Sequence, residues 1–109
     1  MDQDPIDYQW SDAWLLLSVI YASREHPALF GEILMLGDYI NHTSFTTEEF
    51  EGGTRRLKLG EWIKRSPEGF LASEKTLEVY SRISKKGLTA LDELKEIETL
   101  LGVKNAPGT

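Results

Sequence analysis

Apolar residues recur at helical spacings along most of this chain, and the points where the rhythm breaks divide it into elements. Ser11 is placed to cap a first helix, with Trp10 before it and Leu15 inside it as a hydrophobic staple, and Ala13, Leu16, Leu17, Ile20 and Tyr21 form its apolar face. Pro27 suits only the first turn of a helix, so Ser23 to His26 reads as a joint. A second helix is expected from about Pro27 to Asn41 with Phe30, Ile33, Leu34, Gly37 and Ile40 inward. Thr46 and Glu49 have the spacing of a capping box, and Phe45 and Phe50 that of a staple, which fixes the start of a third helix. Its inward stripe is Phe50, Gly53, Thr54 and Leu57. Lys58 falls in the last turn, and Gly60 is expected to end the helix in a left-handed conformation.

Beyond Gly60 the period shortens. Trp62-Ile63-Lys64 and Phe70-Leu71-Ala72 read as strands around Ser66-Pro67-Glu68-Gly69, which has favoured type I turn residues at its first, second and fourth positions. Ser73 then caps a fourth helix with Leu77, Tyr80 and Ile83 inward, Lys85 and Lys86 in its final turn and Gly87 closing it. Thr89 opens a fifth with Ala90, Leu94, Ile97 and Leu101 inward, broadened by Leu91 and Leu100 and ended by Gly102. The expected fold is α+β and mostly helical.

At 109 residues the chain has room for one domain, and a hydrophobic share of 40% argues against intrinsic disorder. The longest apolar run, Ala13 to Leu17, is far short of a membrane span, and Met1-Asp2-Gln3-Asp4 lacks the basic start of a signal peptide, so a cytoplasmic protein away from membranes is expected. Without cysteine there is no disulfide or thiolate metal site, and two histidines alone cannot hold zinc. No metal or other cofactor is expected.

The net charge of −6 hides a strong asymmetry. Residues 1–51 set ten carboxylates against Arg24 alone, whereas residues 52–86 carry nine basic and four acidic side chains, and the remainder is −2. A basic zone on an acidic chain is a reasonable footprint for a weakly held anionic partner.

Two helices, the short joint Asn41-His42-Thr43-Ser44-Phe45, a capped third helix, Gly60 and a hairpin tipped by Ser66 to Gly69 follow in an order that resembles the winged helix-turn-helix superfamily over roughly Ser11 to Ile83. The resemblance implies a three-helix core and a two-stranded wing, here followed by one or two C-terminal helices. The divisions are an acidic segment over 1–10, the winged domain over 11–86, an amphipathic helix over 87–102 and a flexible tail over 103–109. In DNA-binding members the third helix enters the major groove while the wing touches backbone or minor groove. Carried over by position, the reading helix is Thr46 to Leu59 and the wing tip is Lys64 to Gly69.

With Phe50 and Leu57 inward, Glu48, Gly52, Arg55, Arg56 and Leu59 point outward. Arg55 and Arg56, helped by Lys64 and Arg65, are the candidates for contact with duplex DNA, and Gly52 offers close approach to its backbone. Glu48, Glu49 and Glu51 oppose that role, although a helix dipole favours carboxylates in the first turn. A weakly DNA-binding transcriptional regulator is the first functional expectation. A winged-helix module that binds protein through its acidic half and fifth helix, without nucleic acid, is the alternative.

Chemistry of the catalytic kind has little support. His42 follows Tyr39 by three residues near Glu48 and Glu49, yet it reads better as a histidine at a helix C-terminus, and His26 as a joint residue. No glycine-rich phosphate loop, identifiable nucleophile and base, or metal-spaced carboxylate set appears; Asp2, Asp4 and Asp7 sit in a segment expected to be extended or frayed through Tyr8. Gly52-Gly53 inside a helix costs roughly 1 kcal/mol per glycine, which points to a neighbouring helix at Gly53 and a partner at Gly52. Gly37 is expected to admit the first helix, and Trp10, Trp14, Tyr21, Phe30, Tyr39, Phe45, Phe50, Trp62 and Phe70 to be mainly core. Leu91, Leu94, Ile97, Leu100 and Leu101 make a stripe broad enough to pair two copies as a homodimer, with folding back on the first helix as the other outcome.

Overall fold

The computed structural model describes residues 5–104, and its organising element is a helix that is apolar almost all round. This helix, α1 (Trp10–Ala22), is buried at every position from Asp12 to Ile20 and packs against three others, α2 (Phe30–Asn41), α3 (Thr47–Leu59) and α5 (Ala90–Leu101). Ser18 is tolerated in that setting because its hydroxyl donates to the carbonyl of Trp14 at 2.8 Å. A hairpin of β1 (Ile63–Ser66) and β2 (Gly69–Ala72) and the helix α4 (Glu74–Ser84) complete an α+β, mostly helical architecture. Among the described residues no helix is long and apolar enough to cross a membrane.

Local capping fixes several boundaries. Thr46 accepts the Glu49 amide at 3.0 Å while the Glu49 carboxylate takes the Thr46 N–H at 2.9 Å, the reciprocal pair expected for α3. Ser73 and Thr89 cap α4 and α5. The start of α1 differs from expectation. Gln9, rather than Ser11, is its N-cap, because the Asp12 carboxylate reaches back to the Gln9 N–H at 2.8 Å.

The second helix also starts later, at Phe30. Ala28 and Leu29 before it are drawn into extended backbone, where Ala28 exchanges two hydrogen bonds with Phe70 at 2.7 and 2.9 Å and so adds a one-residue third strand to the hairpin. Gly69, at φ +150°, lies against that strand, and a Cβ there would fall on the Ala28 carbonyl. The β1–β2 register pairs Ile63 with Ala72 and Ser66 with Gly69, leaving Pro67 and Glu68 as the turn; Trp62 lies just outside the strand.

The end of α3 also differs from expectation. Gly60 has φ −82°, and the left-handed residue is Glu61 at φ +65°. Gly60 is needed for room, since a side chain would collide with the Tyr8 hydroxyl. Tyr8 in turn accepts the Trp62 indole N–H at 2.9 Å, so the segment before α1 is tied down at Tyr8 rather than frayed; Met1 to Asp4 and Asn105 to Thr109 lie outside the described residues.

Side-chain placement departs from the expected stripes at a few positions. Leu77 faces solvent and Thr76, bonded to the Trp62 carbonyl at 2.6 Å, takes its inward place on α4. Phe30 and Tyr39 are exposed rather than core. Gly37 accommodates the ring of Phe45, which stacks on Trp14 with centroids 3.8 Å apart, and its carbonyl accepts the Trp14 indole N–H at 2.9 Å.

Candidate functional site

The candidate site is built on α3, whose rotation is set by its contact with α1. A Cβ on Gly53 would sit 2.7 Å from Leu15 and 3.0 Å from the Asp12 carboxylate, so glycine lets the two helices approach as the spacing suggests. That approach brings Arg56 to the fully buried Asp12. Its Nε and Nη2 donate to the two carboxylate oxygens at 2.6 and 2.9 Å, a bidentate pair in which Arg56 retains 28% side-chain exposure. The hydrogen bonds to Asp12 raise the guanidinium pKa above its ordinary value, against the opposing effect of burial.

Arg56 is therefore no free outward cation, as its position on the third helix implied. Gly52 changes with it. A Cβ there would lie 3.3 Å from both terminal nitrogens of Arg56, so the missing side chain leaves a berth for the protein's own guanidinium.

The other nominated cations divide between two faces. Arg55 is exposed and forms no ion pair or hydrogen bond with the described residues. Lys64 is exposed on β1 and lies on the same side as Lys58 of α3 and Lys75 of α4, around a shallow depression of about 350 Å³ that also holds Glu61 and Glu74. Arg55, Lys58 and Leu59 line an adjoining open hollow. Lys75 is held there by a 2.7 Å hydrogen bond to the Gly60 carbonyl and by the Trp62 ring 3.8 Å beneath its ammonium.

Arg65, the next residue along the strand, faces the opposite way. Its guanidinium lies 4.7 Å over Phe70, beside a groove of about 360 Å³ walled by Phe30, Leu34, Phe45, Phe50 and Phe70, with Glu51 at the edge. Along the exposed stripe of α3 the charge therefore changes sign, from Glu48 and Glu51 near its start to Arg55 and Lys58 near its end. Lys58 and Lys75 were not among the nominated contact residues. Lys58 carried only a helix-terminus signal, and Lys75 joins the others through the fold.

The fifth helix folds back on α1. Leu94, Ile97 and Leu101 are buried within the chain, Leu100 is half-buried and Leu91 alone of the five is exposed, so most of the stripe nominated for pairing two copies is already covered. His42 is exposed at the left-handed C-cap of α2. His26 lies in the joint, its Nδ1 2.9 Å from the Pro27 carbonyl and its Nε2 3.6 Å from Glu32. Comparison with models of protein families, with curated proteins and with solved structures finds nothing that matches this chain.

Proposed function

We propose that this chain is a winged helix-turn-helix module that rests weakly on the phosphate backbone of duplex DNA through Arg55, Lys58, Lys64 and Lys75. The observation behind this reading is the gathering of those four cations, from the third helix, the first wing strand and the start of the fourth helix, on one side of a chain whose net charge is −6. Contacts of this kind fix a protein on DNA without reading its sequence. The carboxylates of Glu48 and Glu51 at the other end of α3 oppose its entry into a groove, and Arg56 is engaged with Asp12. Affinity with little base preference follows, in keeping with a regulator that needs a second DNA contact or a partner for its specificity.

Fluorescence anisotropy with a labelled duplex at graded salt tests the reading. Neutralising four phosphates gives a log–log slope of about −3.6, a loss of affinity of roughly two orders of magnitude between 50 and 200 mM salt. Replacing Arg55 and Lys58 with Ala should make the slope shallower by about 2. Absence of binding at the lowest salt, or an unchanged slope in the double variant, refutes it.

The phenylalanine groove favours a second reading, a protein-binding module that receives an apolar side chain of a partner beside Arg65. In that case binding to a partner would persist at high salt and be lost on replacing the exposed Phe30 with Ser.

A further inference from the structure

We infer that the pocket between the end of α1, the outer part of α2 and the helices α4 and α5 is a binding site for an alkylated ammonium group. The site is independent of the cationic row; α3 and the hairpin contribute nothing to its lining.

Its floor is Glu93, which is 6% exposed and forms no ion pair with any described residue. The hydroxyls of Tyr21 and Tyr80 both donate to one carboxylate oxygen, Oε1, the latter at 2.8 Å. The other oxygen, Oε2, takes no hydrogen bond from the described residues and is not sealed from solvent. A largely buried carboxylate with one unused oxygen, lining a cavity of about 490 Å³, attracts a cation that can donate a hydrogen bond.

The walls suit the remainder of such a cation. The Tyr21 and Tyr80 rings stand at 71° with centroids 6.4 Å apart, and Tyr39, 66% exposed, lines the same cavity from α2. The face of Tyr21 already carries a guanidinium, and an electron-rich face of this kind holds the polarised methyl groups of an alkylammonium ion, which water solvates poorly. Leu36 and Leu88 supply apolar wall. A mono- or dimethylated ammonium combines one N–H for Oε2 with methyl groups for the rings.

The protein already holds a cation at this position. The guanidinium of exposed Arg24 lies 4.8 Å above the centre of the Tyr21 ring, with Nη2 3.4 Å from the Tyr80 hydroxyl. Its hydrogen bond is long and it does not reach Glu93, so displacement costs little, and Arg24 acts as a resident competitor.

Binding of N,N-dimethylethanolamine, protonated at neutral pH, should be followed by two-dimensional NMR of the full chain. The control is 3-methylbutan-1-ol, the neutral compound of the same shape. Saturable shifts at Leu88, Thr89 and Ala90, with the amine binding at least about tenfold tighter than the alcohol, are the expected result. Tyr39→Ala, at an exposed position, should weaken the amine about threefold or more, and Arg24→Ala should tighten it by a similar factor. A cluster that serves only to join α1, α4 and α5 predicts no tightening on removing Arg24. Equal binding of amine and alcohol, no saturation up to about 50 mM, or unchanged affinity in both variants overturns the inference.

Discussion

Replacing Arg56 with Met retains most of the side chain's apolar length but removes the only ion-pair partner of Asp12 among the described residues. Asp12 is fully buried and would keep a single hydrogen bond from outside its helix, the 2.8 Å contact with the Gln9 N–H. Truncating one side of a buried pair leaves an uncompensated charge and costs about 3–5 kcal/mol. At an unfolding entropy of about 2.1 cal/mol/K per residue, that lowers the melting temperature of a 109-residue chain by roughly 13–22 °C. The loss should be partly reversible by a second change. Asp12→Asn combined with Arg56→Met removes the stranded charge while its amide oxygen still accepts from Gln9, so the double variant should regain about 1 kcal/mol or more over Arg56→Met. Thermal and urea unfolding followed by circular dichroism would measure both. A shift of less than about 4 °C for Arg56→Met would mean that the pair is worth no more than a surface contact, and would return Arg56 to the cations available for DNA.

Gly53→Ala should destabilise by about 1–3 kcal/mol despite the better helix propensity of Ala, because its methyl would press on Leu15 and Asp12; Gly52→Ala, which meets only the guanidinium of Arg56, should be near neutral, and equal effects in urea unfolding would contradict the packing described. Glu61→Asn should be neutral or stabilising by up to about 1 kcal/mol, since Asn tolerates the left-handed backbone better, and it should strengthen binding to duplex by removing a carboxylate from among Lys58, Lys64 and Lys75; weaker binding in low-salt anisotropy would argue against that patch. Burial first, then hydrogen bonding to Glu93, raises the pKa of Tyr21 and Tyr80 above 10, and burial raises that of Tyr8, so an ultraviolet titration should show these three tyrosines ionising late. With the folded value raised, the stabilisation is complete below the unfolded pKa of 10 and is lost as pH climbs through the folded values; ionisation of Tyr8, Tyr21 and Tyr80 near 10 while the chain is still folded would refute this.

The capped helices and the hairpin were legible in the sequence because their signals are local. Thr46 with Glu49, Ser73, Thr89 and the Ser66 to Gly69 turn each act within a few residues, and each element starts or turns where its signal placed it, although α4 ends at Ser84, before the Lys85-Lys86-Gly87 close expected of it. Long-range contacts moved the rest. Pro27 reads as a helix start, yet the pairing of Ala28 with Phe70 holds the backbone before Phe30 extended. At Arg56 the outward face of α3 departs from the helical-wheel expectation for a geometric reason. The direction defined by Phe50 and Leu57 turns Arg56 outward, but Gly53, on the edge of the inward stripe, marks a close approach of α1, and Arg56 stands only about 60° round the helix from it. Asp12 is 44 residues away in sequence, so no local pattern could pair the two. The Tyr21–Tyr80–Glu93 cluster likewise has no local signature, its members coming from three helices.

The neighbouring arginines of α3 thus divide two tasks that the sequence alone assigns to both. The Gly53 contact and the Arg56–Asp12 pair clamp α3 to α1 and set its rotation, and that rotation turns Arg55 and Lys58 toward solvent beside Lys64. Single substitutions should therefore affect separate observables. Arg55→Ala removes a solvated charge with no partner among the described residues, so stability should stay within about 0.5 kcal/mol while the salt dependence of duplex binding becomes shallower by about one phosphate. Arg56→Met should do the reverse, lowering stability while leaving the salt slope of the molecules still folded unchanged, because its charge is already balanced by Asp12. If both variants reduce the slope equally, the clamp opens on binding and Arg56 exchanges Asp12 for phosphate. Equal losses of stability would instead make Arg55 a structural residue and remove it from the proposed interface.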